Sequence, residues 1–137
     1  MQSYPNVTFN TDRAKEFFLD KISYSLGPVE LKQMIENDLN RFNLIDLRKY
    51  QDYLDGHIPF AVHIPPEQIE EHWNMFSKDK INIVYCYNPY CHLASKQALL
   101  IAEKGYPVME LCGGFYAWKD FFGFDVVTDD NPEEKNI

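Results

Sequence analysis

The stretch INIVYCYNPYCHLASKQALLIAEKG, residues 81–105, decides the fold of this chain. Its first five residues are mostly β-branched or aromatic and predict a short buried strand. The Asn88-Pro89 pair predicts a tight turn, and the apolar residues after it repeat at helical spacing until Gly105. Cys86 therefore stands at the carboxyl end of a strand, on a loop that leads into a helix.

This position predicts that Cys86 is a nucleophile. Peptide N–H groups and the positive end of the helix dipole would point at its sulfur, and both favour the thiolate. We therefore expect the pKa of Cys86 to lie well below the ~8.5 of a free cysteine. The competing interpretation is a buried, unreactive cysteine, which is the commoner fate of a free cysteine.

The rest of the chain alternates between short strands and helices. Strands are predicted at 44–47, 61–64 and 108–111, with an edge strand at 22–24. Helices are predicted near 11–18, 28–39, 67–75 and 115–122, and Thr11 is the expected cap of the first. This alternation predicts an α/β fold with a mainly parallel sheet and helices on both faces. Ligands of such sheets bind beyond the carboxyl ends of the strands, where Cys86 falls.

The composition excludes several classes of function. The chain has 137 residues, of which 45% are hydrophobic, and this suits one domain with one core. A net charge of −8 argues against binding to nucleic acid or to an anionic membrane, and no apolar run is long enough to span a bilayer. The amino terminus does not have the pattern of a secretory signal, and three cysteines do not suggest a disulfide framework. We therefore expect a cytoplasmic protein.

Four motifs, in this order, resemble those of the rhodanese domain. They are LIDLR at 44–48, GHIPFA at 56–61, VYC at 84–86 with the loop after it, and GGFYAW at 113–118. The resemblance runs from about Leu26 to Phe122. It implies a three-layer α/β/α fold around a five-stranded parallel sheet. Residues 1–25 are then an N-terminal extension with a short helix, residues 26–127 the rhodanese domain, and residues 128–137 an acidic flexible tail.

The resemblance also implies sulfurtransferase chemistry at Cys86. The thiolate would take the outer sulfur of a donor as a persulfide and pass it to a thiol or another nucleophilic acceptor. The donor would be thiosulfate, a persulfide or a polysulfide, and donor and acceptor could be small molecules or borne on proteins. No metal or organic cofactor is implied, and the oligomeric state is left open.

The loop that binds the persulfide is predicted to comprise Tyr87, Asn88, Pro89, Tyr90, Cys91 and His92, with its backbone N–H groups stabilising the anionic sulfur. From Cys86 through Cys91 the loop has six residues, as in the sulfurtransferases that it resembles. Phosphatase relatives have seven, with an arginine that grips phosphate. This loop has no arginine or lysine, so we reject a phosphatase. Because the loop has no cations, we expect thiosulfate to be a poor donor. We also expect Tyr87 and Tyr90 to form the walls of the pocket.

Cys91 departs from the family pattern at the last loop position. It could resolve an oxidised or sulfur-loaded Cys86 as an internal disulfide, or it could be a small helix cap and filler. Both interpretations stay open. A metal site at Cys86, Cys91 and His92 lacks an evident fourth ligand. Cys112 is expected to be buried and inert.

Three further polar residues are interpreted as structural support. Asp46 and Arg48 flank the end of a strand and resemble an acid/base pair, but the favoured interpretation is that Arg48 pairs with a carboxylate or with backbone carbonyls and so fixes the loop after its strand. His57 is expected to be a hydrogen-bonded histidine and not a catalytic base.

Two functions of different classes remain. The first is a sulfurtransferase that carries sulfane sulfur on Cys86. The alternative is a non-catalytic, rhodanese-like module for protein interaction or redox sensing that uses the pair Cys86 and Cys91. The presence of Cys86 favours the enzyme, whereas the absence of loop cations favours the module.

Overall fold

The computed structural model describes residues 9–128, which build a sheet of five parallel strands. The strands are β1 (Ser25–Leu26), β2 (Phe42–Asp46), β3 (Val62–His63), β4 (Ile81–Tyr85) and β5 (Val108–Leu111). The helices are α1 (Thr11–Tyr24), α2 (Pro28–Asn37), α3 (Tyr50–Asp55), α4 (Leu93–Glu103) and the single turn α5 (Gly114–Tyr116), which continues as a wider π-helical turn at Ala117–Phe121. The predicted α/β fold with a five-stranded parallel sheet is confirmed.

β4 lies in the centre of the sheet, whose strand order is β1-β5-β4-β2-β3. It pairs with β2 along its whole length and with β5 on its other side. A strand covered on both faces needs apolar side chains in both directions, and Ile83, Val84 and Tyr85 are all fully buried. Cys86 thus follows the most enclosed strand of the fold.

Side chains of β4 alternate between two hydrophobic clusters, as the two-residue period of a strand requires. Ile83 and Tyr85 join the cluster that includes Leu31 of α2. Val84 and Cys86 join the cluster that includes Ile101 of α4. The clusters are two cores, one on each face of the sheet, and the side chain of Cys86 belongs to the α4 face.

Local sequence signals set the helix boundaries next to the sheet. The backbone N–H of Gly27 donates to Glu30 Oε1 at 2.6 Å, and Pro28 occupies the first turn of α2, where its missing N–H costs nothing. α4 ends before Gly105, whose φ of +89° is in the left-handed region that glycine accepts readily.

Three predicted elements differ in the structure. Residues 22–24 are not an edge strand, because the helical hydrogen bonds of α1 continue through them and the strand begins at Ser25. The cap of α1 is Asn10 and not Thr11, since Asn10 Oδ1 accepts from the N–H of Arg13 at 3.1 Å. The helix predicted at 67–75 consists of two short 3₁₀ segments, Pro66–Glu71 and Trp73–Met75.

The predicted acidic tail lies, apart from Thr128, outside the described residues. None of the helices within residues 9–128 combines the length and the apolar character that a membrane crossing needs.

The turn Gly113-Gly114 packs directly on the backbone that follows β4. The N–H of Phe115 donates to the carbonyl of Cys86 at 2.9 Å, and the N–H of Tyr116 donates to the carbonyl of Tyr87 at 2.8 Å. Gly114 has a φ of +62°, and a Cβ there would lie 2.9 Å from the carbonyl oxygen of Cys86. Only a residue without a side chain allows this close approach.

We predict that Gly114→Ala lowers the free energy of unfolding by about 1–2 kcal/mol for the left-handed backbone and by about 1–3 kcal/mol more for overpacking. Urea denaturation measures the change. Gly123→Ala is the matched control, because Gly123 also has a positive φ, +69°, but a Cβ added there would meet no atom of the described residues within 4 Å. Equal destabilisation by the two substitutions would show that the contact with the Cys86 backbone is unimportant.

Candidate active site

Cys86 lies on the floor of a cavity of about 600 Å³ at the carboxyl end of β4. Only 2% of the residue is exposed, although its side chain contributes to the lining of the cavity. The sulfur is therefore reached through this cavity and not from the open surface.

The loop after Cys86 folds back on itself through the side chain and backbone of Asn88. Asn88 Oδ1 accepts from the N–H of Tyr90 at 2.9 Å, and the carbonyl of Asn88 accepts from the N–H of Cys91 at 3.2 Å. These bonds return the chain toward β4, and Cys91 Sγ lies 3.4 Å from Cys86 Sγ. The structure brings together the two cysteines that the sequence singled out.

The loop amides are arranged differently from the predicted cradle. The N–H groups of Tyr90 and Cys91 are engaged within the loop by Asn88. The backbone N–H of Tyr87 interacts with Cys86 and lowers its pKa. Pro89 lines the cavity, and His92 is exposed immediately before α4.

The prediction of a lowered pKa for Cys86 is wrong. Burial, and next the hydrogen bond and charge of the neighbouring Cys91 sulfur, raise the pKa of the Cys86 thiol to about 12. The interaction with the Tyr87 amide acts in the opposite direction but is smaller. Removal from water outweighs the helix and amide effects here, because a thiolate loses its hydration when it is enclosed.

Asp46 and Arg48 form a buried ion pair beside the site. The guanidinium of Arg48 donates from Nε to Asp46 Oδ1 at 3.1 Å and from Nη2 to Asp46 Oδ2 at 2.8 Å. It also donates from Nη2 to the carbonyl of Gly56 at 2.6 Å and stacks over the ring of Phe115, 3.8 Å from the ring centroid. Burial lowers the pKa of Arg48, but the hydrogen bond and charge of Asp46, together with the charges of Tyr85 and Asp52, outweigh burial and leave that pKa raised.

Tyr85 completes this buried group. Its hydroxyl donates to Asp46 Oδ2 at 2.6 Å and accepts from the N–H of Ile58 at 3.2 Å. Burial, and next the charge of Asp46, raise the pKa of Tyr85 well above its ordinary value. Asp46 and Arg48 thus join β2, β4, the end of α3 and the turn at Gly114, and the charge of Asp46 also adds to the raised pKa of Cys86.

His57 is buried and bonded within its own segment. Its Nδ1 lies 2.8 Å from the carbonyl of Tyr53, which requires that Nδ1 carries the proton and donates. Its ring stacks on that of Tyr53 with the centroids 3.8 Å apart. His57 therefore supports the segment after α3 and is not placed as a base for Cys86.

The predicted tyrosine walls of the cavity are replaced by residues of α1. The hydroxyl of Tyr87 donates to Asp52 Oδ2 at 2.7 Å and so leaves the cavity, and Tyr90 is 89% exposed. Phe17 and Tyr24 of α1 line the cavity instead. Sequence reasoning missed them because nothing in the local pattern says which strand end a preceding helix covers.

Two further lining residues come from β5 and the turn after it. Glu110 pairs in register with Val84, two residues before Cys86, and it accepts a hydrogen bond from Ser95 Oγ at 2.6 Å. The prediction that Cys112 is buried is wrong, because it is exposed and lines the cavity. Glu110 could have been found from the sequence. It is the one acidic residue in the predicted strand 108–111, and parallel strands end at the same edge of the sheet, where Cys86 lies.

The charges on the cavity lining do not favour an anion. Asp20 and Glu110 are acidic, and Lys21 is the basic residue among the lining residues within the described part of the chain. In the same part, 9–128, no group of three or more His, Cys, Asp or Glu side chains is arranged to hold a metal ion.

Comparisons with known proteins agree with this geometry. The family model for the Rhodanese-like domain matches residues 27–121. The chain is 32% identical over 77 residues to thiosulfate sulfurtransferase GlpE of Coxiella burnetii, which covers 56% of this chain and 70% of that protein. It is 29% identical over 76 residues to the HTH-type transcriptional regulator Rv0324 of Mycobacterium tuberculosis, over 56% of this chain but only 34% of that protein.

Among solved structures, the BH2092 protein of Bacillus halodurans is similar, with a TM-score of 0.80 and 32% identity over 87% of both chains. The match therefore extends beyond the family model and includes most of the described residues. The chain belongs to the Rhodanese-like domain family.

Proposed function

We propose that this protein is a sulfurtransferase that carries sulfane sulfur as a persulfide on Cys86. The observation that carries the proposal is the position of Cys86 on the floor of a cavity of about 600 Å³ at the end of the central strand. Membership of the Rhodanese-like domain family and similarity to a protein named thiosulfate sulfurtransferase support it. A cytoplasmic location, where the three free cysteines would stay reduced, is part of the proposal.

The reaction has two half-reactions. The Cys86 thiolate attacks the outer sulfur of a donor, a new S–S bond forms on Cys86, and the donor leaves with the electron pair of its broken S–S bond. A thiolate acceptor then attacks the outer sulfur of the persulfide and releases Cys86 as a thiolate. Both steps are exchanges at sulfur, so no metal or organic cofactor is needed.

A pKa of about 12 slows this chemistry but leaves it feasible. Relative to a thiol with a pKa of 9.0, the thiolate fraction at neutral pH falls about a thousandfold. The intrinsic nucleophilicity of the thiolate rises with its pKa, with a Brønsted coefficient of about 0.4–0.5, so the net loss is about 30- to 60-fold. Such a site favours a reactive donor with a good leaving group.

The cavity lining favours a donor of low negative charge. Glu110 and Asp20 oppose a dianion such as thiosulfate, whereas Phe17 and Tyr24 offer apolar surface. We propose a donor whose sulfane sulfur carries one negative charge or none, such as an organic persulfide or polysulfide, small or borne on a protein, over thiosulfate. We also propose that residues 1–25 are an extension whose helix α1 forms the outer wall of the site.

The proposal is tested by loading the reduced protein with inorganic polysulfide and measuring its intact mass and peptide masses. We expect a gain of sulfur that maps to Cys86, either as a persulfide or as a product formed from it. Cys86→Ser should abolish transfer to a thiol acceptor. Cys112→Ser shows how much of the sulfur taken up by wild type is bound at the exposed cysteine and not at Cys86. Transfer by Cys86→Ser at the wild-type rate would refute the proposal.

The raised pKa predicts how Cys86 alkylation depends on pH. Because the thiolate is the reacting form, the rate with iodoacetamide should rise about tenfold per pH unit from pH 7 to pH 10 without levelling off. Peptide mass spectrometry follows the modification of Cys86 separately from the other cysteines. Cys91→Ala removes two causes of the raised pKa and should make Cys86 react faster at each pH below 10. A plateau below pH 9 in the wild type would contradict the prediction.

The charge of the cavity predicts the effect of Glu110→Gln. Removing one negative charge should raise kcat/KM for thiosulfate at least about fivefold, which corresponds to about 1 kcal/mol of relieved repulsion. A steady-state assay with thiosulfate and a thiol acceptor measures it. Glu103→Gln, at the far end of α4, is the control and should have little effect. The rate at which the neutral reagent iodoacetamide alkylates Cys86 should differ between Glu110→Gln and wild type by much less than this factor.

The second candidate function is a redox-sensing or interaction module, and the 3.4 Å separation of the Cys86 and Cys91 sulfurs favours it. This module would form the disulfide but would not pass sulfur to an acceptor. Sulfur transfer that depends on Cys86 separates the two functions.

A further inference from the structure

Cys91 is placed to react with Cys86 and not only to cap α4. Its Sγ lies 3.4 Å from Cys86 Sγ, and both residues line the same cavity. An S–S bond is about 2.05 Å long, so the sulfurs need to approach each other by about 1.4 Å.

The backbone allows this approach from the side of Cys91. The carbonyl of Cys86 is held by the N–H of Phe115, whereas Asn88, Pro89 and Tyr90 in the loop are exposed. The loop can adjust at these three residues, which carry none of the core packing, whereas Tyr87 and Cys91 at its two ends pack against the core on the α4 face. Cys91 follows these exposed residues, so we expect it to move further than Cys86, whose carbonyl is held by Phe115.

We propose that Cys91 is an internal acceptor that resolves the Cys86 persulfide, releasing hydrosulfide and leaving a Cys86–Cys91 disulfide. The inference rests on the proposed function, because it begins from the persulfide. It adds a second catalytic residue and a product, hydrosulfide, to the site.

The step balances without an external oxidant. Cys91 Sγ attacks Cys86 Sγ, which is the inner sulfur of the persulfide, and the Cys86–Cys91 bond forms. The bond from Cys86 Sγ to the outer sulfur breaks, and its electron pair goes to the outer sulfur. The proton of the Cys91 thiol goes to the same atom, which leaves as HS⁻. The sulfane sulfur is reduced, and the two cysteine sulfurs are oxidised.

Distance and charge favour attack on the inner sulfur. The inner sulfur is Cys86 Sγ itself, 3.4 Å from Cys91 Sγ before any sulfur is bound. An anionic outer sulfur would lie in a cavity lined by Asp20 and Glu110, with Lys21 as its one basic lining residue in the described chain. Release of HS⁻ moves that negative charge into water. A dithiol reductant must then regenerate the two thiols.

The test uses the full chain in four forms: wild type, Cys91→Ser, Cys91→Ala and Cys112→Ser. Each is reduced, treated with inorganic polysulfide and desalted without any added thiol. Intact mass and peptide mapping identify the state of Cys86, and a colorimetric assay measures the hydrosulfide released after desalting. Dithiothreitol is added last, to recover the reduced mass.

We expect Cys112→Ser to end two hydrogens lighter than its reduced chain, and wild type to give the same Cys86–Cys91 peptide, with any sulfur on the exposed Cys112 mapped separately. Dithiothreitol should cleave this peptide in both. Both Cys91 variants should retain one extra sulfur on Cys86 and lose it at least about tenfold more slowly. Two Cys91 variants of different polarity are used so that the test still holds if one of them fails to fold.

Three results would overturn the inference. They are a wild-type persulfide as long-lived as that of Cys91→Ser, a disulfide that involves Cys112, and transfer of the outer sulfur to Cys91 as a second persulfide. Failure of the proposed function is distinguishable, because the Cys91 variants would then take up no sulfur on Cys86 at all.

Discussion

The buried ion pair of Asp46 and Arg48 holds together the chain segments that surround Cys86. Its two charged groups have lost their contact with water, and their mutual hydrogen bonds, with those to Tyr85 and Gly56, replace it. Loss of either partner would leave a buried charge uncompensated, at a cost of about 3–5 kcal/mol. The pair connects β2, β4 and the end of α3, while the stacking on Phe115 extends it to the turn that supports the cysteine loop. The shape of the cavity floor therefore depends on this ion pair as well as on the contacts made by the loop itself.

Two opposing effects set the ionisation of the Cys86 thiol: burial favours the neutral thiol, and hydrogen-bond donors favour the thiolate. The end of β4 is surrounded by packed side chains, and Asn88 occupies amides that could have faced the sulfur. The thiol of Cys86 is consequently stabilised over the thiolate. Enclosure also limits the contact of the sulfur with water, so a thiol that reacts slowly inside the cavity is compatible with the proposed function.

The secondary-structure elements that are set by residues adjacent in sequence could be predicted from the sequence alone. The strand before Cys86, the turn at Asn88-Pro89 and the helix that ends before Gly105 each have a local signal, and the four family motifs placed them in one fold. The lining from Glu110 and α1 depends on strand register and on how a helix lies across a sheet, and neither is a local property. The pKa of Cys86 was mispredicted for the same reason, since the depth of burial depends on the whole set of packed elements. The propensity of Ile22 and Tyr24 for strand was overridden by continuation of the helix that precedes them.

Helix α1 covers the cavity although none of its own residues is buried. Ile22 is 73% exposed and Phe18 is 58% exposed, so α1 gains little from the hydrophobic effect when it rests on β1 and β5. The free energy needed to lift or fray this helix is correspondingly small beside that of unfolding the sheet. We therefore expect the amide hydrogens of α1 to exchange with solvent faster than those of β4, and the part of the cavity lining that α1 contributes to be the most easily displaced.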